Sequence, residues 1–275
     1  IIAIAEDDST LVIGKPAPRF EPELLREATA RAKKAERILI LGWNRRAPRI
    51  VLELDSYVAA GSTVMVLAES DTVEGQLEEI RDLLVNLKVT LQRGSTTDRR
   101  TLDKLASDFD HVITVSYSDD LDAQKADART LVTLLHLRDI ESKRGESFSI
   151  VSEMLDVRNR QLAEVAQPDD FIVSDKLVSL LLAQISENAK LAAVFEDLFD
   201  PEGAEVYCKP AEDYVVVGKP ARFATVVEAA KRRGEIAIGY LLGEGDPKAR
   251  AHVNPKKSAA VSFGASDKII VIAEE

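Results

Sequence analysis

The segment Arg37–Glu69, RILILGWNRRAPRIVLELDSYVAAGSTVMVLAE, decides the fold of this chain. A short run of branched and leucine side chains, Ile38–Leu41, stops at Gly42. Apolar residues then recur at helical spacing, and a second apolar run, Val64–Leu67, follows Gly61. Two apolar runs that are too short for buried helices, separated by an amphipathic helix, are typical of a β-α-β unit whose strands are buried on both faces.

The alternation of strand and helix patterns continues along the chain. Further strands are predicted at Val89–Leu91, His111–Tyr117, Phe148–Leu155 and Phe171–Asp175. Helices are predicted between them at Asp71–Asn86, Asp98–Ser107, Leu121–Arg144 and Asp156–Val165. Five or six such repeats in series predict an α/β fold, namely a Rossmann-like doubly wound parallel sheet.

The chain is predicted to fall into four parts. Residues 1–36 would be the end of a preceding domain plus a polar linker helix at Glu23–Glu36, and residues 37–174 the Rossmann-like lobe. Residues 175–202 form a helical crossover so apolar that it is buried either in its own domain or against another subunit. After Pro201–Gly203, residues 203–275 carry short strand patterns and one helix, which predicts a small α+β C-terminal lobe.

Composition excludes several classes of protein. The chain has 275 residues and a formal charge of -11, which disfavours a nucleic-acid-binding surface. One cysteine, Cys208, excludes a disulfide framework and is expected to be a small buried hydrophobe, and three scattered histidines offer no zinc-ligand spacing. No apolar run has the length of a membrane span. The chain starts inside a strand pattern without methionine, which suggests a piece of a longer protein.

The turn after the first strand is the first candidate binding site. Nucleotides usually bind at this position in doubly wound sheets, and the helix that follows offers free N–H groups beside two arginines. The turn keeps only the first glycine of G-x-G-x-x-G, so a purely structural turn is the alternative. An acid at the end of the second strand could hold ribose hydroxyls. The candidate nucleotide-binding residues are Gly42, Trp43, Asn44, Arg45, Arg46, Glu69 and Ser116.

Acidic clusters offer a cation site instead, because Ca2+ takes several oxygen ligands. Glu153 and Asp156, at a strand end, are the candidate metal ligands. The clusters Asp119–Asp122 and Glu6–Asp8 are further candidates. Each cluster has an alternative interpretation as a solvated turn or as helix N-terminal charge. No serine–histidine–aspartate set, paired-carboxylate hydrolase pattern or H-E-x-x-H motif is present.

Several segments, taken in order, resemble a known family. The plan of a Rossmann-like lobe, a helical crossover and a small C-terminal lobe is similar to the RCK (regulator of K+ conductance) domains of ion channels. Shorter segments add to this resemblance, namely IAEDDST at Ile4–Thr10, ILGW at Ile40–Trp43, SEMLD at Ser152–Asp156, SDKLVS at Ser174–Ser179, FEDLF at Phe195–Phe199 and CKPAE at Cys208–Glu212. In this order, they resemble in particular the CASTOR and POLLUX channels of plant symbiosis and their bacterial relatives.

The resemblance implies the second cytosolic RCK domain of a channel, with an upstream RCK domain and a transmembrane pore in the same parent chain. It further implies a homo-oligomer, as a dimer or a tetrameric ring, at the cytosolic face of a membrane, with no enzymatic activity. The function expected is sensing of a small ligand, either a nucleotide of the NAD or ATP type or Ca2+, and coupling of that ligand to a cation pore. The alternatives are an NAD(P)-dependent oxidoreductase and a soluble Trk-type potassium-uptake subunit.

Overall fold

A computed structural model describes residues 19–27, 34–105, 108–145, 148–159, 170–200, 203–243 and 251–274, with residues 170–175 described as backbone only. The segments predicted at 1–5 and 6–8 lie outside these residues. The chain divides into two compact units, residues 32–191 in one, and residues 1–31 with 192–275 in the other. Among the described residues, no helix combines the length and the apolar character that a membrane crossing needs.

The first unit is built on a parallel sheet of six strands. Their order is β3-β2-β1-β4-β5-β6, so the chain reverses direction across the sheet between β1 and β4. This arrangement confirms the predicted doubly wound fold. The strands are β1 Arg37–Leu41, β2 Ser62–Ala68, β3 Leu87–Arg93, β4 His111–Thr114, β5 Ser149–Met154 and β6 Asp170–Val173. The helices that connect them are α1 Ala47–Tyr57, α2 Val73–Arg81, α3 Arg99–Leu105 and α4 Ala123–Arg144.

Alternate residues of β1 pack into opposite layers, which explains its uninterrupted apolar sequence. Ile38 and Ile40 belong to a core with residues of α1 and α2. Leu39 and Leu41 belong to a second core with residues of α4. Because helices cover both faces of the sheet, the middle of β1 is apolar on both of its faces.

Helix α2 ends at Arg81, five residues before the predicted end. The cause is Asp55, a buried carboxylate of α1 that accepts hydrogen bonds from the backbone N–H groups of Val85, Asn86 and Leu87 at 2.9, 2.8 and 2.7 Å. These N–H groups are therefore unavailable to a helix. The contact fixes the turn that leads into β3.

Two helices, α5 Ser174–Glu187 and α6 Leu191–Leu198, follow the sheet. None of the side chains described in them is buried. Leu177, Val178, Leu180 and Leu182 are each about half exposed or more, at 48 to 63%. An apolar surface of this kind on one helix is typical of a protein–protein contact.

The second unit contains an antiparallel sheet of four strands, β10-β9-β12-β7, and a two-stranded sheet, β11-β8. Tyr214, Phe223 and Phe263 fill its core. A strand pattern at Tyr214–Val217 predicts a strand, but the structure has only a single bridge there, between Val215 and Leu25. The elements are β7 Glu205–Pro210, β8 Pro220–Arg222, α7 Phe223–Lys231, β9 Ile236–Leu241, β10 Ala251–Val253, β11 Ala260–Ser262 and β12 Lys268–Ala273.

The segment 19–27 packs on this second unit and is not a surface helix in its described part. Leu24 is buried in the core, and its carbonyl accepts a hydrogen bond from Val216 N at 2.9 Å. Glu21 accepts hydrogen bonds from Thr225 and Arg222, and these contacts hold its pKa below the ordinary value. Cys208, on β7, is exposed, so the expectation of a buried thiol was wrong.

Gly42 provides a test of the turn after β1. A side chain there would collide with the carbonyl oxygen of Val115, and its φ of +92° is strained for other residues. Gly42→Ala is therefore expected to lower the free energy of unfolding by about 4 kcal/mol. Urea unfolding followed by the fluorescence of Trp43, the single tryptophan, reports this unit.

Gly61 is the matched control, because its φ is +90° and a Cβ there meets no atom within 4 Å. Gly61→Ala should cost only about 1 kcal/mol, which is the strain of the backbone conformation alone. Equal losses in the two variants would contradict the close approach of Gly42 to Val115.

Candidate functional site

The candidate site lies at the carboxyl edge of the parallel sheet, where β1 and β4 are neighbours. Gly42 begins the turn there, and its N–H donates to the carbonyl of Leu67 at 2.9 Å. Val115 N donates to Leu41 O at 2.8 Å, so β4 continues alongside the turn. Helix α1 starts at Ala47. The turn therefore occupies the position where doubly wound sheets bind ligands.

Asn44 fills the interior of this turn. Its side chain is buried, and its amide nitrogen donates to the carbonyl of Ser116 at 2.8 Å and to Glu153 at 3.0 Å. Its amide oxygen accepts a hydrogen bond from the backbone N–H of Arg46 at 2.9 Å. Glycines at this position in G-x-G-x-x-G let a pyrophosphate approach the backbone. Here an asparagine side chain takes that space.

Two carboxylates of the chain occupy the donors that a phosphate would need. Glu153 accepts a hydrogen bond from Ser116 N at 3.1 Å and forms an ion pair with Arg46. Asp119 accepts the backbone N–H of Arg45 at 2.6 Å. Ala47 N donates to Asn44 O, and the next residue is a proline, which has no N–H. An incoming anion would have to displace two negative charges from this turn.

Trp43 points away from the site. Its indole is buried in the core beneath α1 and α2, and its Nε1–H donates to Gln76 at 2.6 Å. Because the residue is only 2% exposed, its ring is not available to stack on a ligand. The structure thus assigns Trp43 to packing, although the sequence placed it among the candidate binding residues.

Glu69, the predicted ribose-binding acid, forms an ion pair with Arg129 of α4. The Arg129 guanidinium lies 4.2 Å from the centre of the Tyr117 ring, a cation–π contact. Burial lowers the pKa of Arg129 and raises the pKa of Tyr117 to about 12. Arg129 was not among the predicted site residues. No local pattern distinguishes it, because an arginine near the start of a helix most often lies on a solvated face.

Glu153 and Asp156, the candidate metal ligands, face different partners. The Asp156 carboxylate binds the Arg158 side chain at 3.0 Å through Nε, and this contact lowers the pKa of Asp156. Asp122 caps α4 by accepting Lys125 N at 3.0 Å. Within the described ranges, no three histidine, cysteine, aspartate or glutamate side chains come together in a way that could hold a metal ion. The geometry gives these carboxylates structural partners.

The network around Glu153 is therefore closed. It joins the turn after β1, the end of β4 and the end of β5 through charge-assisted hydrogen bonds, which are the stronger class. The fold brings together one group of candidate residues, namely Gly42, Asn44, Arg45, Arg46, Ser116 and Glu153. Glu69 lies apart from this group and contacts Arg129. These two sets of contacts can hold the strand ends in one arrangement.

No family model matches the chain. It is 30% identical over 313 residues to the probable ion channel CASTOR of Oryza sativa subsp. japonica, covering 100% of this chain and 34% of that protein. It is 30% identical over 311 residues to the ion channel DMI1 of Medicago truncatula, covering 99% of this chain and 35% of that protein. The chain thus spans about a third of the length of the curated relatives it matches.

A structural comparison supports the fold. The human SLO3 gating ring superimposes with a TM-score of 0.59 and 13% sequence identity, covering 87% of this chain and 44% of that one. At this identity the likeness concerns the fold alone. The curated relatives are named as ion channels, not as oxidoreductases.

The contribution of Glu153 can be measured. Glu153→Gln keeps the size of the side chain but turns an acceptor toward three donors, those of Asn44, Ser116 and Arg46, into a partial donor. We expect a loss of about 2 kcal/mol in the free energy of unfolding, because a donor is left unsatisfied and Arg46 loses its countercharge. Urea unfolding monitored by tryptophan fluorescence gives the value.

Glu74→Gln is the matched control. It removes the same charge from an exposed ion pair between α2 and Arg93, where both side chains are more than half exposed. The expected change is within about 0.5 kcal/mol. If both variants lost the same stability, the network around Glu153 would not be what fixes these strand ends.

Proposed function

We propose that this chain, which is homologous over its full length to a segment of the CASTOR, POLLUX and DMI1 ion channels, is a cytosolic regulatory domain of a cation channel. In this proposal it is the second of two RCK domains that follow a transmembrane pore in the parent chain. The observation that carries the proposal is the alignment of the whole chain with channels. The six-stranded doubly wound sheet, of the fold seen in the human SLO3 gating ring, supports it.

The domain is proposed to sense a small ion rather than a nucleotide. A nucleotide phosphate would need the N–H groups of Arg45 and Arg46, and these already donate to Asp119 and Asn44. The acid that would bind a ribose, Glu69, is held by Arg129. The groups that would bind the phosphate and the ribose of a dinucleotide are thus already bound within the chain. The carboxylates of Asp119 and Glu153 repel a phosphate, but they do not repel a cation.

Assembly into a ring or dimer is proposed to use α5. Its Leu177 and Leu180 are three residues apart, so they lie on one side of the helix, and both are about half exposed. Their exposed surface would be covered by a second copy of the same helix in a two-fold contact. Ion binding then regulates the pore only if it favours one arrangement of the assembled domains over another.

A soluble Trk-type subunit is the second candidate, because it would share this fold and this assembly. It differs in one respect, since its pore is a separate polypeptide. The gene that encodes this chain decides between a channel domain and a soluble subunit. A pore encoded upstream in the same chain supports the channel domain, and a separate pore gene supports the subunit.

The assembly can be tested with Leu177→Glu and Leu180→Glu in one variant. Sedimentation velocity of the chain is expected to show dimers or larger species for the wild type and monomers for the variant, because two charges would be buried in an apolar contact. In the parent channel reconstituted in liposomes, the same variant should alter ion flux without altering ion selectivity.

A charge-matched control is Gln184→Glu with Ser186→Glu, at exposed polar positions of the same helix. This control should assemble as the wild type does. A wild-type chain that stays monomeric at high concentration would contradict assembly through α5. Flux that is identical in the wild type and the α5 variant would contradict a regulatory role for the domain.

The preference for an ion predicts no response to nucleotides. Millimolar NAD+, NADH, ATP or ADP should leave the thermal midpoint of the chain unchanged, because a ligand raises that midpoint only by binding the folded state. A rise with any of them that is lost in Glu69→Ala would instead restore a nucleotide site at this edge of the sheet.

A further inference from the structure

A layer of buried polar side chains lies between α4 and the carboxyl ends of β4 and β5. Thr114 and Ser152 are register partners in the two strands, so their side chains lie on the same face. Ser116 follows Thr114 by two residues along the extended chain and therefore lies on that face as well. This is the face covered by α4, because Val112 and Ile150, which precede them with the same alternation, pack against Leu134 and Leu137.

The three hydroxyls of this layer have no partner among the described residues. Thr114, Ser116 and Ser152 are 0 to 2% exposed, and their side-chain oxygens make no hydrogen bond within the described part of the structure. Buried polar groups are paired in nearly all proteins, and each exception calls for an ion, a water or a functional reason. Three such oxygens on neighbouring positions of one sheet face point to a common ligand.

Asp127 of α4 places a buried carboxylate next to the backbone that follows β5. It projects from the first turns of α4, is fully buried, and accepts hydrogen bonds from Leu155 N at 2.9 Å, Asp156 N at 3.0 Å and Asn159 Nδ2 at 2.8 Å. All three donors are neutral, and no arginine, lysine or histidine pairs with Asp127 in the described residues. A buried carboxylate is normally paired with a cation or coordinates one.

We propose that this layer binds one monovalent alkali cation, with Thr114, Ser116, Ser152 and Asp127 as its oxygen ligands. Hydroxyl and carboxylate oxygens are the donors that hard cations take. One carboxylate balances one positive charge, whereas Ca2+ sites usually combine several carboxylates. The ion is the partner that the three hydroxyls lack among the described residues.

This site differs from the network around Glu153. Alternation along the strands places Ser152 on the face of α4 and Glu153 on the opposite face, where it meets Arg46 and Asn44. Asp127 also holds the backbone after β5, so a cation in this layer would stabilise the junction of α4 with that segment. The regulatory meaning of the site rests on the proposed function, but binding of the ion by this chain does not.

The test is the thermal midpoint of the chain at constant ionic strength, with choline chloride replaced stepwise by NaCl or by KCl. A saturable rise with one or both salts is expected, reaching roughly 5 °C when the ion exceeds its dissociation constant about a hundredfold. Separate Na+ and K+ titrations identify the preferred ion. Anomalous scattering from crystals soaked in Tl+ should place a peak within this layer.

The double variant Ser116→Ala with Ser152→Ala removes two of the proposed ligands. Because these hydroxyls have no partner among the described residues, their removal should leave the midpoint in choline unchanged or higher, while the rise with Na+ or K+ is lost. Ser62→Ala is the matched control, because Ser62 is also fully buried but its hydroxyl bonds to Ala59 O and Glu36 N at 2.7 and 3.0 Å. It should lower the midpoint in every salt and keep the rise.

The site would be overturned if the wild type had the same thermal midpoint in choline and in the alkali salts. It would also be overturned if the double variant kept the full rise with Na+ or K+. A lower midpoint of the double variant in choline would overturn it as well, because the hydroxyls would then be hydrogen-bonded to water. Each concerns binding by this chain alone. The proposed channel regulation is tested separately, by ion flux through the parent channel. Failure of the cation site can therefore be distinguished from failure of the proposed function.

Discussion

The carboxylate of Glu153 is the contact on which the carboxyl edge of the parallel sheet depends. It lies on β5, yet it binds the side chains of Asn44 and Arg46 in the turn after β1 and the backbone of Ser116 after β4. Three strand ends that are far apart in sequence are thereby held by one charge. Because its exposed fraction is small, water competes weakly for these hydrogen bonds. These hydrogen bonds fix the shape of the turn after β1.

The sequence was sufficient to predict the parallel sheet, but not the hydrogen-bond network around Glu153. β1 and β2 were predictable because continuous apolar runs have one interpretation when an amphipathic helix separates them. The role of Asn44 was not predictable, because its partners Ser116 and Glu153 are 72 and 109 residues away. Helix α2 was predicted too long for the same reason, since Asp55 captures N–H groups that are 30 to 32 positions further on. Local patterns carry no information on such distant partners.

The candidate binding residues lie at the carboxyl edge of the sheet, as predicted. Neighbouring side chains, however, bind the groups that were expected to bind a ligand. A glycine turn, two arginines and a following helix predict an anion site. The structure adds the carboxylates of Asp119 and Glu153, which use those donors. An acid after β2 predicts a ribose contact, and the structure adds Arg129. The residues that change the interpretation are distant in sequence: Asp119 follows β4, Glu153 lies on β5 and Arg129 lies on α4. Only the folded chain brings them to the site.

Helix α4 connects the two contact networks at the carboxyl edge of the sheet. Within three residues it carries Asp127, which fixes the backbone after β5, and Arg129, which binds Glu69 after β2. A displacement of its first turns would therefore change the contacts after β5 and after β2 together. A ligand that binds beneath those turns gains its effect by stabilising one position of α4, and it can shift the domain only by the difference in its affinity for the two positions. In the proposed cation site, such a difference would arise because a movement of α4 would separate Asp127 from the hydroxyls of Thr114, Ser116 and Ser152 that share the ion.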